Sequence, residues 1–388
     1  MAVAVKRLWR FGCLLIFLLG YLSGAAPAIA QDRAAFETID LDSPLPLDKL
    51  TAQLATKRVV FIGEIHDRYD HHLNQLEIIR RLHELGSNLA IGVEYLQQPF
   101  QAQVDDYIAG RTTEQEFLRN AEYFQSWGFD YRLYAPIFRY AREQHIPLRA
   151  LNVPTALPST VAKVGVAALS EKQRTYLPHD IQPADEAYRA RLRMAFSEHQ
   201  AGKPDAFDHF VEAQLVWDEG MAESAAAYLN SNPDRRMVIL AGAGHLMFGS
   251  GIPSRLERRT HATYSIVLNS GEVIEPHIAD YLLLSKEQEL PPAGILGIRP
   301  EEKNGDCIVG SVTPGGAAEK AGLKKGEVLV AIDGQTIKTT ADVRLALWDK
   351  KPGDRVSVKV LRKGHFGASA ERDLEIDLAA PPSFGGNR

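Results

Sequence analysis

Five short β-rich runs alternate with amphipathic segments between residues 58 and 268, and this alternation constrains the fold more than any other feature. The runs are Arg58–Ile62, Leu89–Glu94, Pro147–Asn152, Met237–Ala241 and Thr263–Leu268. Leucine and isoleucine recur at helical spacing from Leu73 to Leu85, just before Gly86, and a longer helix is predicted over Phe207–Leu229. Strands that alternate with helices form a mainly parallel sheet. We therefore predict an α/β fold with flanking helices for residues 40–285.

Two segments of linker-type residues divide the rest of the chain. Residues 286–293 are charged and then carry two prolines, and the tail 380–388 is too rich in glycine and proline for a packed element. A second, smaller folded unit is therefore predicted over residues 294–379. Hydrophobic residues make up 45% of the chain and charged residues 24%, which suits ordinary globular domains and excludes long disordered, collagenous or coiled-coil structure.

Residues 1–30 have the pattern of an export signal. Three basic residues precede the apolar run Phe11–Leu22, and Ala28-Ile29-Ala30 forms a small-x-small cleavage pattern. Because the run is shorter than the ~20 residues of a spanning helix, we expect cleavage after Ala30 rather than an uncleaved anchor. The expected location is the periplasm or the exterior.

Cleavage would change both the charge and the cysteine content. Loss of the three basic residues takes the formal net charge from −5 to −8, which argues against a nucleic-acid partner. Of the two cysteines, Cys13 lies in the signal, so Cys307 would remain alone and form no intramolecular disulfide. Cys13 also lies too far before the cleavage pattern to be a lipid acceptor.

Polar residues stand at the ends of four of the five runs. They are Gly63-Glu64-Ile65-His66, Glu94-Tyr95, Asn152 and Gly242-Ala243-Gly244-His245. Open α/β sheets bind ligands beyond the carboxyl ends of their strands. We therefore predict a functional site at this edge.

Glu64 and His66 are the strongest candidates, because an extended chain directs residues two apart to the same side. A carboxylate beside an imidazole can bind a metal ion, act as an acid/base pair or orient a ligating histidine. The alternative is a polar loop with solvated histidines, which we favour for His71 and His72. Glu94 would be buried by a central strand, and a structural salt bridge is an equal alternative there.

The predicted helix over 207–229 carries a second set of polar residues. Gln214, Asp218 and Met221 fall on one face beside Trp217, which indicates either the lining of a polar pocket or simple capping contacts. An aromatic stripe of Trp127, Tyr131 and Tyr134 is typical of a core. The motifs of serine hydrolases, zincins, phosphate-binding loops and disulfide oxidoreductases are missing from the sequence.

The strand-end residues and the polar residues of the 207–229 helix together resemble the ChaN-like haem-binding domain. This domain belongs to a broader group that includes TIKI-type proteases and erythromycin esterases. The matching segments are Gly63–Asp67 with His71, His72 and Gln75, then Val93–Tyr95, Leu151–Pro154, Gln214 with Asp218, Ala241–His245 and Gly251–Pro253. The resemblance covers about 240 residues, and the motifs occur in the family's order.

The resemblance implies two functions, and the residues leave both open. One is an exported haem-binding protein for haem or iron uptake or handling, with a Tyr or His as the axial ligand. Its candidate cofactor-binding residues are His66, Tyr69, Tyr95, Gln214, Asp218 and His245. The other, implied by the broader group, is a hydrolase, with or without a divalent metal. Its candidate catalytic and metal-binding residues are Glu64, His66, Glu94 and His245. Whether the protein is an enzyme, and whether it forms a homodimer, stays open.

Residues 294–379 resemble a PDZ domain of the kind found in bacterial proteases. The similarity lies in the loop Ile295-Leu296-Gly297-Ile298, the short helix over Ala317–Leu323 and the turn Ile332–Gln335. Such a loop captures the C-terminus of a protein or peptide, which adds a strand to the sheet edge. Ala341–Leu347 would be the groove helix, with Val343 and Leu347 as apolar contacts. The alternative is a domain that only packs against its neighbour.

Overall fold

A computed structural model describes residues 43–382 except Ser87, 198–205, 270–273 and 364–368. The predicted export signal and residues 383–388 of the tail lie outside these residues. In the described part of the chain, no helix is both long and apolar enough to span a membrane.

The first domain contains a six-stranded sheet. Its strands are β1 (Val59–Glu64), β2 (Leu89–Gln97), β3 (Leu148–Asn152), β4 (Arg236–Gly242), β5 (Tyr264–Asn269) and β6 (Tyr281–Leu283). They lie in the order β3-β2-β4-β1-β5-β6, and every neighbouring pair is parallel. The prediction of a mainly parallel α/β sheet is therefore confirmed. This order brings the carboxyl ends of β1, β2 and β4 side by side.

Helices cover both faces of this sheet. They are α1 (Leu47–Leu54), α2 (Tyr69–Glu84), α3 (Gln101–Ile108), α4 (Glu114–Asn120), α5 (Tyr123–Ser126), α6 (Ala135–Glu143), α7 (Ala156–Val164), α8 (Glu171–Arg174), α9 (Glu186–Ser197), α10 (Ala206–Ser231) and α11 (Ile252–Thr260).

Alternate residues of β1 enter two different cores, because successive side chains of a strand face opposite sides of the sheet. Val60 and Ile62 pack with α2 and with an aromatic group that includes Tyr131 and Tyr134, as the aromatic stripe predicts. Val59 and Phe61 pack on the other face with the apolar side of α10. All six residues of β1 are buried, which is typical of a central parallel strand.

The second domain is an antiparallel β-rich unit, as its resemblance to a PDZ domain implies. Its elements are β7 (Ile298–Lys303), β8 (Asp306–Val312), α12 (Ala317–Lys320), β9 (Val328–Ile332), β10 (Gln335–Thr336), α13 (Thr340–Leu347), β11 (Arg355–Lys363) and β12 (Ser369–Asp377). The sheet order is β12-β11-β9-β8-β7, with β10 paired to β9. Cys307 is a free, buried residue of this domain's core.

Helix α13 joins the two domains because it has two apolar faces. Val343 and Ala346 pack into the core of the second domain. Ala341 and Leu345 instead pack with the aromatic core of the first domain. The Trp348 ring, directly after the helix, lies 5.3 Å from the Tyr131 ring. The second domain therefore packs against its neighbour through the back of its groove helix.

Candidate active site

Glu64 and His66 form a hydrogen-bonded pair at the carboxyl end of β1. Glu64 is the last residue of the strand, and its Oε1 accepts a hydrogen bond from His66 Nδ1 at 2.9 Å. The Glu64 side chain is fully buried, whereas that of His66 is 26% exposed. The His66 ring packs against Trp127 and Phe129 at centroid distances of 5.0 and 4.9 Å. Only the imidazole of this pair therefore reaches the surface.

The second oxygen of Glu64 is held by the first turns of α2. Gln75 Nε2 donates to Oε2 at 2.7 Å, and His72 Nδ1 lies 3.1 Å from the same atom. His71 accepts the backbone N–H of Ile65 at 3.0 Å through its Nδ1. Both His71 and His72 are buried, so the expectation of a solvated histidine cluster is wrong. They lie on α2, where the strand–helix turn folds them back over Glu64.

Glu94 and His245 form a second pair near the carboxyl ends of β2 and β4. The prediction that the second strand ends at Glu94 is wrong, because β2 continues to Gln97. Glu94 Oε2 accepts the backbone N–H of Gly242 at 2.7 Å, which ties the two strands together where β4 ends. Its Oε1 lies 3.5 Å from His245 Nε2. The single turn of 3₁₀ helix over Ala243–His245 directs this imidazole back towards the sheet.

Asp218 and Tyr188 extend this second pair. Asp218, buried on α10, accepts from His245 Nδ1 at 2.6 Å through Oδ1, and its Oδ2 accepts from the Tyr188 hydroxyl at 2.6 Å. Gln214, one turn earlier on α10, is half-buried. Sequence reasoning missed Tyr188, because it lies on α9, far along the chain from every strand end. Its helix carries no motif that would have identified it.

The two pairs meet at Gly242, where a side chain is missing. A methyl group on this residue would lie 2.9 Å from Cε1 and 3.0 Å from Nε2 of His66, and 3.6 Å from Oε2 of Glu94. The Nε2 atom of His66 therefore faces Gly242 and Glu94, the same carboxylate that lies beside His245 Nε2. The Nε2 atoms of His66 and His245 therefore both face the region between Gly242 and Glu94 at the sheet edge.

Both glutamates are held ionised by their neighbours. Burial alone would raise the pKa of Glu64, but the charge of His72 and hydrogen bonds from His66 and His72 outweigh it and lower the pKa to about 2. Burial acts on Glu94 in the same way, yet the charge and hydrogen bond of His245, the charge of His66 and the Gly242 amide lower its pKa. Buried charge is costly without such partners, so the site keeps two ionised carboxylates.

The two imidazoles differ in how strongly they hold a proton. Burial lowers the pKa of His245, but Glu94 and Asp218 overcome this and raise it well above 6.5. Burial also opposes the charged form of His66, but the hydrogen bond to Glu64 and the charges of Glu94 and Glu64 outweigh it and raise the pKa. His71 instead has a lowered pKa, chiefly because of its burial. The site thus contains a strongly protonated His245 beside a more exposed His66.

The remaining predicted residues lie around this centre rather than in it. Tyr69 is half-buried in the first turn of α2. Tyr95 is buried in the aromatic core, 4.2 Å from the Tyr134 ring, and its hydroxyl has no hydrogen-bond partner among the described residues. The side-chain amide oxygen of Asn152, at the end of β3, is likewise buried and has no partner in the part of the chain that the structure describes. Of the predicted site residues, Glu64, His66, Glu94 and His245 therefore form the centre, and Tyr69, Tyr95 and Asn152 lie around it.

As placed, neither Tyr95 nor His66 is positioned to ligate a haem iron. Burial raises the pKa of Tyr95 well above 10, which opposes the deprotonated form that binds iron. His66 turns its Nε2 towards Gly242 and Glu94 rather than outwards. Within the described residues, no three His, Cys, Asp or Glu side chains are grouped closely enough to hold a metal ion.

The predicted peptide-binding residues lie in the loop before β7, at the start of β7 and on α13. Leu296 is buried, Gly297 has a positive φ of 75° and Ile298 begins β7 as a half-buried residue. Ile295 precedes them and is bonded to Ala379. On α13, Val343 is buried and Leu347 is half-buried. The loop, the edge strand and the helix thus border one apolar surface, at the position of the groove that the PDZ resemblance implies.

The fold and the site define an α/β protein with paired buried carboxylates and imidazoles at its sheet edge, followed by a PDZ-like unit. A family model described as haem-binding uptake, Tiki superfamily, ChaN matches residues 50–256, and a PDZ domain model matches residues 294–376. The first match covers just over half of the chain. The chain therefore belongs to the ChaN family of the Tiki superfamily.

Curated relatives match only part of the chain. The Arabidopsis thaliana protein RETICULATA-RELATED 5, chloroplastic, is 25% identical over 277 residues, which are 65% of this chain and 36% of that protein. The serine protease Do-like HtrA of Bacillus subtilis is 34% identical over 100 residues, which are 25% of this chain and 22% of the protease. The chain thus spans only about a third of the length of the first relative and about a fifth of the length of the second.

A solved structure shares the fold of the first domain. Campylobacter jejuni ChaN, described with cofacial haem binding, is 17% identical with a TM-score of 0.50. The match covers 61% of this chain and 91% of that one. At this identity the similarity shows the fold alone.

Proposed function

We propose that the first domain catalyses hydrolysis by acid–base chemistry. The observation that carries the proposal is the meeting of two carboxylate–imidazole pairs with buried carboxylates, Glu64 with His66 and Glu94 with His245, at Gly242. Acid–base catalysis needs two groups whose surroundings hold their protons with different strength. His245 lies between two carboxylates and His66 is hydrogen-bonded to one, which supplies that difference.

In this proposal His66 is the base and His245 is the acid. Glu64 fixes the His66 ring through Nδ1, which leaves Nε2 to take a proton from an attacking water. Asp218 fixes His245 through its Nδ1, and the protonated Nε2 then donates to the leaving group of the substrate. The water oxygen forms the new bond to the acyl carbon as the bond to the leaving group breaks. The aromatic rings of Trp127 and Phe129 shield His66 from bulk water.

The test is hydrolysis of an activated ester and of a peptide library by the purified chain and its variants. His66→Ala and His245→Ala should each lower the rate about 10²- to 10⁴-fold, the usual contribution of a general acid or base. His179→Ala is the matched control, because His179 also pairs with a carboxylate, Glu223 at 2.7 Å, but its side chain is 93% exposed. Equal rates in the control and in both site variants would contradict the proposal.

Haem binding is the second candidate function. It is supported by the description of the family and by Ile65, an apolar residue 42% exposed beside His66. Ligation by His66 requires its Nε2 to turn away from Gly242 and towards solvent. A haemin titration followed by absorbance tests it, with His66→Ala, Tyr69→Phe, Tyr95→Phe and His245→Ala beside the original chain. A saturable Soret shift that one variant loses would support haem binding, and a featureless titration would count against it.

We further propose that the chain is exported and that its PDZ domain binds peptide C-termini. The basic, apolar and Ala-x-Ala segments of residues 1–30 support export, and the groove between β7 and α13 supports peptide binding. N-terminal sequencing of the protein from a periplasmic fraction should begin at Gln31. Recovery of full-length chain from the cytoplasm alone would contradict export.

A further inference from the structure

The free edge of β7 is the surface to which a peptide strand would be added. In the sheet order, β7 is the last strand, and among the described strands only β8 lies beside it. Residue Pro300 of β7 is opposite Val309 of β8 in the antiparallel register. Val309 directs both of its backbone groups away from β7, since its N–H bonds to Glu327 and its carbonyl accepts from Gly326.

The orientation of Val309 determines that of Pro300. In an antiparallel pair, opposed residues either exchange both hydrogen bonds or direct their backbone groups away from each other. Because Val309 bonds on its other side, the Pro300–Val309 pair is of the second kind. The backbone of Pro300 therefore points to the free edge, as does that of Glu302, two residues further along. The pairing shifts register between Arg299 and Pro300, but Ile298 also directs its N–H to this edge, because the carbonyl of the preceding Gly297 accepts from Thr313 on the β8 side.

Proline has no N–H to donate, so this edge lacks one of the donors that an added strand needs. A peptide whose last residue lies opposite Ile298 would place its third-from-last residue opposite Pro300. The carbonyl of that peptide residue would then face a proline nitrogen and find no donor. One hydrogen bond remains there, from the peptide N–H to the Pro300 carbonyl.

A side-chain bridge closes the groove one step further along. The Glu302 carboxylate accepts from the backbone N–H and from Oγ1 of Thr340, at 2.9 and 3.0 Å. This bridge connects β7 to the first turn of α13. Only the four residues Ile298–Glu301 of the edge lie between it and the loop of Gly297.

The apolar part of the groove lies at its other end. Ile298 on β7 and Leu347 on α13 are half-buried and pack on the same core as the buried Leu296 and Val343. An apolar C-terminal side chain would cover these residues, whereas a charged one would lose its hydration there.

Resting on the proposed peptide binding, we infer that this PDZ groove recognises a protein by its last two residues, the final one apolar. Residues further from the C-terminus add little affinity, because Pro300 interrupts the strand ladder and the Glu302–Thr340 bridge bounds the groove. The partner class is thus a protein with a free, apolar C-terminus and no required upstream sequence.

The test measures binding to the full chain by fluorescence anisotropy, with competition by unlabelled fragments. The probes are an uncharged ten-residue peptide ending in valine, its acetylated last two residues, and the same ten-residue peptide with an amidated C-terminus. We expect the ten-residue and two-residue probes to differ by less than about tenfold in Kd. Pro300→Ala should lower the Kd of the ten-residue peptide about three- to tenfold, which corresponds to the net value of one hydrogen bond. The Kd of the two-residue fragment should not change.

Arg299→Ala is the matched control, because this exposed neighbour keeps its own N–H and its backbone faces β8. The inference is overturned if the ten-residue peptide binds more than tenfold tighter than its fragment, or if Pro300→Ala leaves their ratio unchanged. If no probe binds, the proposed peptide-binding function itself fails. Equal binding of the amidated peptide would show that the groove does not read a C-terminus, which also overturns the inference.

Discussion

The ring of His66 packs 4.9 Å from that of Phe129, and this contact links the candidate active site to the PDZ groove helix. Phe129 belongs to a short segment after α5 whose backbone carbonyls face the second domain. Arg344 of α13 donates to the carbonyls of Gly128 and Phe129 at 2.9 and 3.3 Å. A single guanidinium therefore holds the segment that forms one wall around His66.

Arg344→Ala should loosen this segment and lower the stability of the domain contact. The variant loses hydrogen bonds to three carbonyls, those of Phe124, Gly128 and Phe129. Because bonds from a charged donor contribute more than neutral ones, we expect a loss of about 1–3 kcal/mol in the free energy of unfolding, measured in urea. Arg355→Ala is the control, since its exposed pair with Asp377 should contribute little. Equal losses in the two variants would contradict this role of Arg344.

Gly242→Ala should disrupt the candidate active site more than the fold. Its methyl group would lie 2.9 Å from His66 Cε1, closer than side-chain carbons approach, so the His66 ring must move. We expect hydrolysis to fall at least tenfold. Gly244→Ala, two residues away, would meet no atom within 4 Å and should retain the rate. The comparison is a rate assay on both variants, with circular dichroism to check the fold. A Gly242→Ala variant with an unchanged rate would contradict the proposed position of His66.

The sequence predicted the central pairs because they depend on local rules. Glu64 and His66 follow a buried strand at a spacing of two, and the strand-end rule placed Glu94 and His245 at the same sheet edge. Topology then brought the ends of β1, β2 and β4 together. These steps need only the hydrophobic pattern and the parallel sheet.

The positions of His72 and Tyr188 could not be derived in this way. His72 is buried because the turn after β1 is short enough for α2 to pack back over Glu64, a tertiary contact that a run of polar residues does not reveal. Tyr188 reaches Asp218 only because α9 packs beside α10. Similarly, the sequence of α13 does not distinguish a helix that packs on one core from one that packs on two, and Leu345 packs with the first domain.

Glu64→Gln should reduce the stability of the chain and remove part of its acid sensitivity. The pKa of Glu64 is lowered from 4.5 to about 2, so the folded state binds its proton less readily than the unfolded state. Its contribution is present above about pH 4.5 and is lost as the pH falls towards 2. A shift of this size corresponds to about 3 kcal/mol at neutral pH. Urea unfolding between pH 2 and 7 measures it. A variant with the same pH profile as the original chain would contradict the lowered pKa.

Asp218→Asn should lower the pKa of His245, because it removes one of the two carboxylates that hold the imidazole charged. The folded-state pKa of His245 is raised, so its contribution to stability is complete below about pH 6.5 and is lost as the pH rises through the folded value. The variant should therefore lose stability mainly in the acidic and neutral range and converge with the original chain at higher pH. Titration of the His245 ring by NMR measures the shift directly, and Tyr188→Phe is the graded comparison, since it keeps the Asp218 charge but removes one hydrogen bond to it. An unchanged His245 titration in Asp218→Asn would show that Glu94 alone sets the charge of this imidazole.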